Sequence, residues 1–251
     1  MHLSLSARII ETATPRPPIT EFIELARAAG YDAIGLRGWQ VPPSLTAADA
    51  ATVKVRLEQA GLRVFSISTE MADVARLVPV ARVLGAKVIQ AGGTPEQMTE
   101  AVKLLDLDMR LGPQMHTGGE FETVVSAAAV LARIPDRRIG VLVEPANLMF
   151  TGVKWTDDLL KPLAGRIIGC NLQSVEVGVG TQRLNLADGS PRLYRRVALA
   201  DNTQIELAKF IRALRAAGYD DTINVIEPAR EDQPNLELAT ATCAALRKGL
   251  G

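Results

Sequence analysis

The sequence predicts a (β/α)8 barrel, the TIM-barrel fold, as a single domain over residues 1–251, and three observations carry that prediction. The tetrad Ala-Gly-Tyr-Asp occurs twice, from Ala29 to Asp32 and from Ala217 to Asp220. Each copy follows an amphipathic stretch and precedes a short β-branched run. Its Gly reads as the left-handed residue that ends a helix ahead of a buried parallel strand. Weaker versions of the joint lie around Gly61 and Gly85, so the unit repeats along the backbone. Finally, the length of 251 residues is close to the ~250 typical of such a barrel. A doubly wound open sheet is the rival architecture, but no Gly-x-Gly-x-x-Gly follows the first strand.

The elements follow in order. HLSLSARII is strand one, and a helix over 20–29 buries Phe22, Leu25, Ala26 and Ala29, with Thr20 able to cap it. DAIGLR is strand two. TAAD at 46–49 resembles a capping box and opens a helix that runs to Ala60. RVFSIS is strand three. The helix over 73–84 contains Pro79, which predicts a late start or a kink. KVIQAGG is strand four, and TPEQMTEAVKLL is a helix with Pro95 in its first turn. MRLGPQMH is strand five, FETVVSAAAVLARI a helix, IGVLVEP strand six, TDDLLKPLAG a short helix and RIIGCNLQSV strand seven. Residues 176–200 read as the longest irregular segment, with Gly178, Gly180, Gly189 and Pro191 and the cluster Arg192, Arg195 and Arg196. A long loop in a compact domain is usually functional. A helix with Ile205, Ala208, Ile211 and Leu214 at helical spacing, strand eight as TINVIEP and a C-terminal helix complete the chain.

Composition excludes several classes. The 28 basic and 28 acidic residues balance, and aromatic residues make up 4% of the chain. Neither the charge nor the stacking surface of a nucleic-acid binder is present. No apolar run approaches the ~18 residues of a membrane span, and the N-terminus lacks a signal peptide's basic start and apolar segment. Cys170 and Cys243 show no ligand spacing, which fits a reduced, cytoplasmic protein.

In a barrel the chemistry sits at the C-terminal ends of the strands. Those ends carry Gln114 and His116 on strand five, Glu144 with Asn147 just beyond on strand six, Asn171 and Gln173 on strand seven, and Glu227 on strand eight. Two carboxylates, several amides and one imidazole are thus expected to converge.

These same residues carry a resemblance to the xylose isomerase-like barrels, which include sugar isomerases, sugar epimerases and type IV endonucleases. GYDAIGLR resembles the family's Gly-Tyr/Phe-Asp-Gly-Ile-Glu-Leu, and VARVLGAKVI its Ala-x-x-Leu-Gly-Ala-x-x-Val. QMH resembles its Glu-x-His, EPAN its Asp-Pro-Gly-His, and NLQS stands at its His-Leu-Lys-Asp. GYDDTINVIE resembles its Gly-Tyr-Asp-Gly-x-x-x-x-Glu. The resemblance implies an isomerase or epimerase, or a related keto-sugar lyase, acting on a small-molecule carbohydrate by removing a proton next to a carbonyl. It implies a divalent-metal site at Gln114, Glu144, Asn171 and Glu227, of which only Glu227 is unchanged. Gly35 stands for the family's strand-two Glu and Asn147 for its strand-six His.

An all-oxygen set with two carboxylates suits Mn²⁺ or Mg²⁺ better than Zn²⁺, and the lost charges predict weak binding or none. Glu227 is the expected base, with Glu144 or His116 as its acid partner. Gln114, Asn147, Asn171, Gln173, Trp39 and Arg192 are the candidate substrate contacts. Bland roles stand beside these. Gln114 and Asn171 can simply hydrogen-bond one another in a former metal site. His116 can be structural, Trp39 can pack under a loop, and the arginine cluster can be a solvated face, its functional alternative being to hold a phosphate or sugar acid over the barrel mouth. Arg37 or Arg110 can neutralise a buried carboxylate. The alternative function is a non-catalytic barrel that binds a ligand or a partner subunit, and self-association into a homo-oligomer is left open.

Overall fold

The computed structural model describes residues 1–250. Eight parallel strands form one sheet: β1 (His2–Ser6), β2 (Ala33–Arg37), β3 (Arg63–Ser68), β4 (Val88–Gln90), β5 (Arg110–Gly112), β6 (Val141–Val143), β7 (Ile167–Leu172) and β10 (Thr222–Val225). Their order is β5-β4-β3-β2-β1-β10-β7-β6. Parallel bridges Leu111 to Ile139 and Gln114 to Leu142 join the two outer strands, so the ring is nearly closed. With helices between the strands, this is a (β/α)8 TIM barrel.

Local chemistry accounts for the helices. α2 (Ala47–Gln59) starts at a Thr46–Asp49 capping box, α4 (Pro95–Val102) at a Thr94–Gln97 box with Pro95 at its first position, and α5 (Val124–Ala132) at a Thr123–Ser126 box. α3 (Val74–Leu84) continues through Pro79 after a 3₁₀ turn at Met71–Asp73. α1 (Ile19–Ala28) begins behind Pro18 without a side-chain cap, so Thr20 lies inside the helix rather than capping it. α7 (Leu207–Ala216) and α8 (Asn235–Leu250) complete the outer layer. The repeated tetrad behaves as its sequence predicts. Gly30 and Gly218 take φ of 84° and 82° behind α1 and α7. The tyrosines that follow are buried, with Tyr31 Oη donating to Ala239 O at 3.2 Å and Tyr219 Oη to Thr222 O at 2.6 Å.

Three further local expectations fail. Strand one stops at Ser6, and residues 7–10 form a 3₁₀ turn. TDDLLKPLAG is turn and a 3₁₀ segment, Lys161–Leu163, while the short helix of this region is α6 (Pro145–Phe150), directly behind strand six. The segment expected to be irregular is an antiparallel hairpin of β8 (Val175–Asn185) and β9 (Pro191–Arg196). A register shift between Val177 and Gln182 breaks its alternation, which is why the strand is hard to see in sequence. The hairpin is anchored. Val175 and Leu186 pack on Ala146 and Phe150, and Tyr194 stacks edge-on against Phe150 with centroids 5.2 Å apart. The buried Glu176 carboxylate accepts from Arg195 Nε and from Thr203 Oγ1, at 2.8 and 2.9 Å.

Among the described residues, no helix is long and apolar enough to cross a membrane. The main core lies between strands and helices and holds Leu3, Leu5, Ile223 and Val225. A smaller cluster of Ala33, Phe65, Val88 and Leu142 is separate from it. By strand alternation, Ser4 and Asn224 turn to the barrel axis, opposite to the outward Leu3, Leu5, Ile223 and Val225.

Candidate functional site

The inward residues build a polar ladder across the barrel. Ser4 Oγ donates to Asn224 Oδ1 at 2.9 Å, and Asn224 Nδ2 to Asn171 Oδ1 at 2.9 Å. Asn171 Nδ2 donates to Gln114 Oε1 at 2.7 Å and to Gln90 Oε1 at 2.9 Å. Gln114 Nε2 and Gln173 Nε2 donate to Glu144 Oε2 at 3.3 and 3.1 Å. Arg196, on the hairpin, donates to Gln173 Oε1. Strand pairing sets this order, because β1, β10 and β7 are sheet neighbours and Asn224 is level with both Ser4 and Asn171.

Glu144 is the ladder's one carboxyl group. It is fully buried, and its Oε1 also accepts from the backbone N–H groups of Ala146 and Gln173 at 3.1 and 3.2 Å. Burial pushes its pKa up to about 7, against the hydrogen bonds from Gln173 and Ala146 that favour the anion.

Above the ladder opens a cavity of about 260 Å³ at the C-terminal mouth of the barrel. Arg8, Arg37, Arg196 and His116 line it, with Gln90, Gln114, Gln173, Ser68 and Ile226. His116 is exposed, and its Nδ1 lies 2.9 Å from Thr117 O. Arg8 and Arg37 share one carboxylate, Glu11, with Arg37 Nε at 2.9 Å from Oε1.

The expected residues divide accordingly. Gln114, Glu144, Asn171 and Gln173 meet in the ladder, and His116 joins Gln114 and Gln173 at the cavity. Asn147 does not reach it, because its Nδ2 donates to Met115 O at 2.9 Å and holds the end of strand five. Trp39 lines a neighbouring cavity of about 310 Å³ that shares Arg37 and Ser68 with the first, and Arg16 lies over its ring. Arg192 is spent on the Phe150 carbonyl, at 3.0 Å, so Arg196 is the hairpin arginine that reaches the mouth. Neither arginine proposed to neutralise a buried carboxylate does so. Arg37 pairs with Glu11, and Arg110 donates to the carbonyls of Leu107 and Met109.

Glu227 is the largest departure. Its Oε2 accepts from Thr242 Oγ1 of α8 at 2.7 Å, and burial raises its pKa against that hydrogen bond. It faces the helix layer, whereas Asn224 and Ile226 face the axis. The spacing carries the signal. Five residues separate Asp221 from Glu227, and the family pattern has four between its Gly and its Glu, so Ile226 occupies the inward position. The residues that sequence reasoning missed, Ser4, Asn224, Gln90 and Arg8, were legible only through period-two alternation from neighbours already on the axis.

The residues present do not fit a divalent metal. The Gln114 and Asn171 amide oxygens already accept from neighbouring amides, and Glu227 points elsewhere. Among the described residues, no three His, Cys, Asp or Glu side chains group as a metal site. A hard cation needs converging, unsatisfied oxygens, and this ladder provides one carboxylate.

A nearly closed parallel barrel with a polar floor and an open mouth defines the class of α/β barrel that works at its C-terminal face. Residues 23–249 match the family described as xylose isomerase-like TIM barrel, and the chain belongs to it. Among solved structures, D-psicose 3-epimerase from Clostridium cellulolyticum H10 is similar at a TM-score of 0.77 and 11% identity, over 100% of this chain and 99% of that one. A xylose isomerase domain protein from Alicyclobacillus acidocaldarius subsp. acidocaldarius superposes at 0.76 with 17% identity, covering 100% and 98%. The IolI protein with a bound zinc atom superposes at 0.73 with 14% identity, covering 100% and 96%. The sequence matches no curated protein.

Proposed function

We propose that the chain is a sugar-directed enzyme of isomerase or epimerase type, which moves a proton at a carbon next to the carbonyl of a small polyhydroxylated or keto-sugar substrate. The carrying observation is the mouth cavity, which places one imidazole beside several guanidiniums above a polar floor. Among its lining groups only His116 can both take and give a proton, because arginine stays charged and amides and hydroxyls do not titrate. His116 is the acid–base group. A guanidinium beside the substrate carbonyl stabilises the negative charge that develops on its oxygen as the proton leaves. Glu144 lies one layer below the cavity and acts as a positioning residue, fixing the Gln114 and Gln173 carboxamides that face the ligand. Glu227, turned to Thr242, takes no part. No step is routed through a metal.

Exchange of substrate hydrogen in D₂O, followed by NMR over a panel of ketoses and sugar acids, tests this reading. His116→Gln is expected to slow exchange by at least about 100-fold, and Glu227→Gln to leave it within about twofold. Exchange that survives His116→Gln removes His116 as the base.

One observation favours a second reading. The amide ladder satisfies its own hydrogen bonds, as a ligand-binding barrel without catalysis would require. That reading predicts saturable sugar binding with no deuterium exchange in any substrate.

A further inference from the structure

We propose that the mouth cavity selects an anionic ligand, a small polyhydroxylated compound whose carboxylate or phosphate is held by Arg8, Arg37 and Arg196. The inference rests on the same site as the proposed function and specifies what that site takes. Its basis is local charge. The chain as a whole balances, with 28 basic and 28 acidic residues. At the mouth, three guanidiniums face a single ionised partner, Glu11, which Arg8 and Arg37 share.

Arg196 closes no salt bridge. Its contacts are the neutral Gln173 carboxamide and the Tyr194 ring, and the Glu144 carboxyl feels its charge only from beyond Gln173. The contrast with its neighbour is direct, because Arg195 is neutralised by Glu176, with Nη2 at 2.6 Å. Sequence-adjacent arginines on β9 therefore face opposite ways, one closing an ion pair in the hairpin and one delivering charge to the cavity. In the floor, Glu144 carries only part of a negative charge near neutrality, since burial pushes its pKa up to about 7.

Size and lining narrow the ligand further. The volume of about 260 Å³ falls below the ~300–1,000 Å³ of drug-sized pockets, so it suits a small metabolite. Gln90, Gln114, Gln173 and Ser68 offer donors and acceptors to hydroxyl groups, and Ile226 is the one large apolar side chain in the lining. Guanidiniums match the planar, two-oxygen face of a carboxylate and the oxygens of a phosphate equally well in geometry.

The test is calorimetric titration of the full chain at low ionic strength with D-gluconate, inorganic phosphate and, as the uncharged control, sorbitol. At least one of the two anions is expected to bind at least about tenfold more tightly than sorbitol, and added salt should weaken it. Gluconate binding without phosphate assigns a carboxylate ligand, and the reverse assigns a phosphate. Arg196→Gln is expected to weaken the anion about tenfold or more, with Arg37→Gln as the second variant. Arg183→Gln, which removes an exposed arginine from the same hairpin, should leave affinity unchanged. Sorbitol binding as tightly as both anions, absence of binding by either anion, or equal affinities in the Arg196 and Arg183 variants would overturn the proposal. Anion binding that persists while no substrate exchanges hydrogen removes the enzyme reading and leaves this one standing. Hydrogen exchange in neutral sugars without anion preference does the reverse.

Discussion

The Asn224 carboxamide lies in the space that Gly35 leaves open. A Cβ on Gly35 would stand 2.5 Å from Asn224 Oδ1 and 3.0 Å from its Cγ. The two residues sit on β10 and β2, on either side of β1, and Ser4 of β1 bonds the same Asn224 oxygen. The glycine here does not serve a left-handed turn. It makes room for the side chain that starts the ladder and passes its orientation on to Asn171, Gln114 and Glu144.

Gly35→Ala therefore forces Asn224 out of place. The clash falls on the Asn224 carboxamide, which is held by hydrogen bonds to Ser4 and Asn171 and cannot turn away without breaking them. Overpacking a core costs about 1–3 kcal/mol, and the displaced carboxamide also leaves Asn171 Oδ1 without its donor. The expected result is a loss of stability in that range by urea unfolding. Pairing the change with Asn224→Ser should recover part of it. An unchanged unfolding midpoint in Gly35→Ala would mean that Asn224 is free to move.

Glu144 sets a pH dependence whose sign can be worked out. Its folded pKa, pushed up to about 7, lies above the ordinary 4.5 of a glutamate. Between those values the folded state holds a proton that the unfolded state has released, so stability falls as pH rises through this window. The group's contribution is most favourable below pH 4.5 and is lost by about pH 7, an effect on the order of 3 kcal/mol. Glu144→Gln has no such proton to lose. The wild type minus variant difference in unfolding free energy should therefore decline between pH 5 and 8. A flat difference across that range would show that Glu144 is ionised at all of these pH values.

The barrel was legible from local chemistry that repeats. The left-handed glycines before Tyr31 and Tyr219, the capping box at Thr46, Pro95 in the first turn of α4, and the apolar strands between them all report backbone needs that each short segment states by itself. The hairpin was not legible, because Gly178 and Gly180 read as loop residues and the register shift hides the alternation of β8. Half of the site was legible as well. Gln114, Glu144, Asn171 and Gln173 follow from their places at strand ends. Ser4 and Asn224 look like ordinary polar residues until the strand order sets them side by side. Glu227 was misread for a different reason. In a strand a shift of one residue reverses the face, and similarity of composition does not register such a shift.

That one-residue shift yields a sharp prediction about metal binding. Restoring family-like ligands at Gln114→Glu and Asn171→His adds a charge and an imidazole, but the strand-eight ligand is still missing, because Glu227 faces Thr242. The double variant should bind Mn²⁺ no more than a few-fold better than wild type. Adding Ile226→Glu places a carboxylate on the inward face, where Ile226 now lines the cavity. The triple variant then has three carboxylates and an imidazole, a set matched to a divalent ion. Its Mn²⁺ affinity should exceed that of the double variant by at least about tenfold. Without the ion, three crowded carboxylates repel one another, so the triple variant should be less stable than wild type and should regain thermal stability as Mn²⁺ is added. Calorimetry and thermal unfolding read the two effects independently. A double variant that binds Mn²⁺ as tightly as the triple would show that Glu227 can turn inward, and would return it to the site.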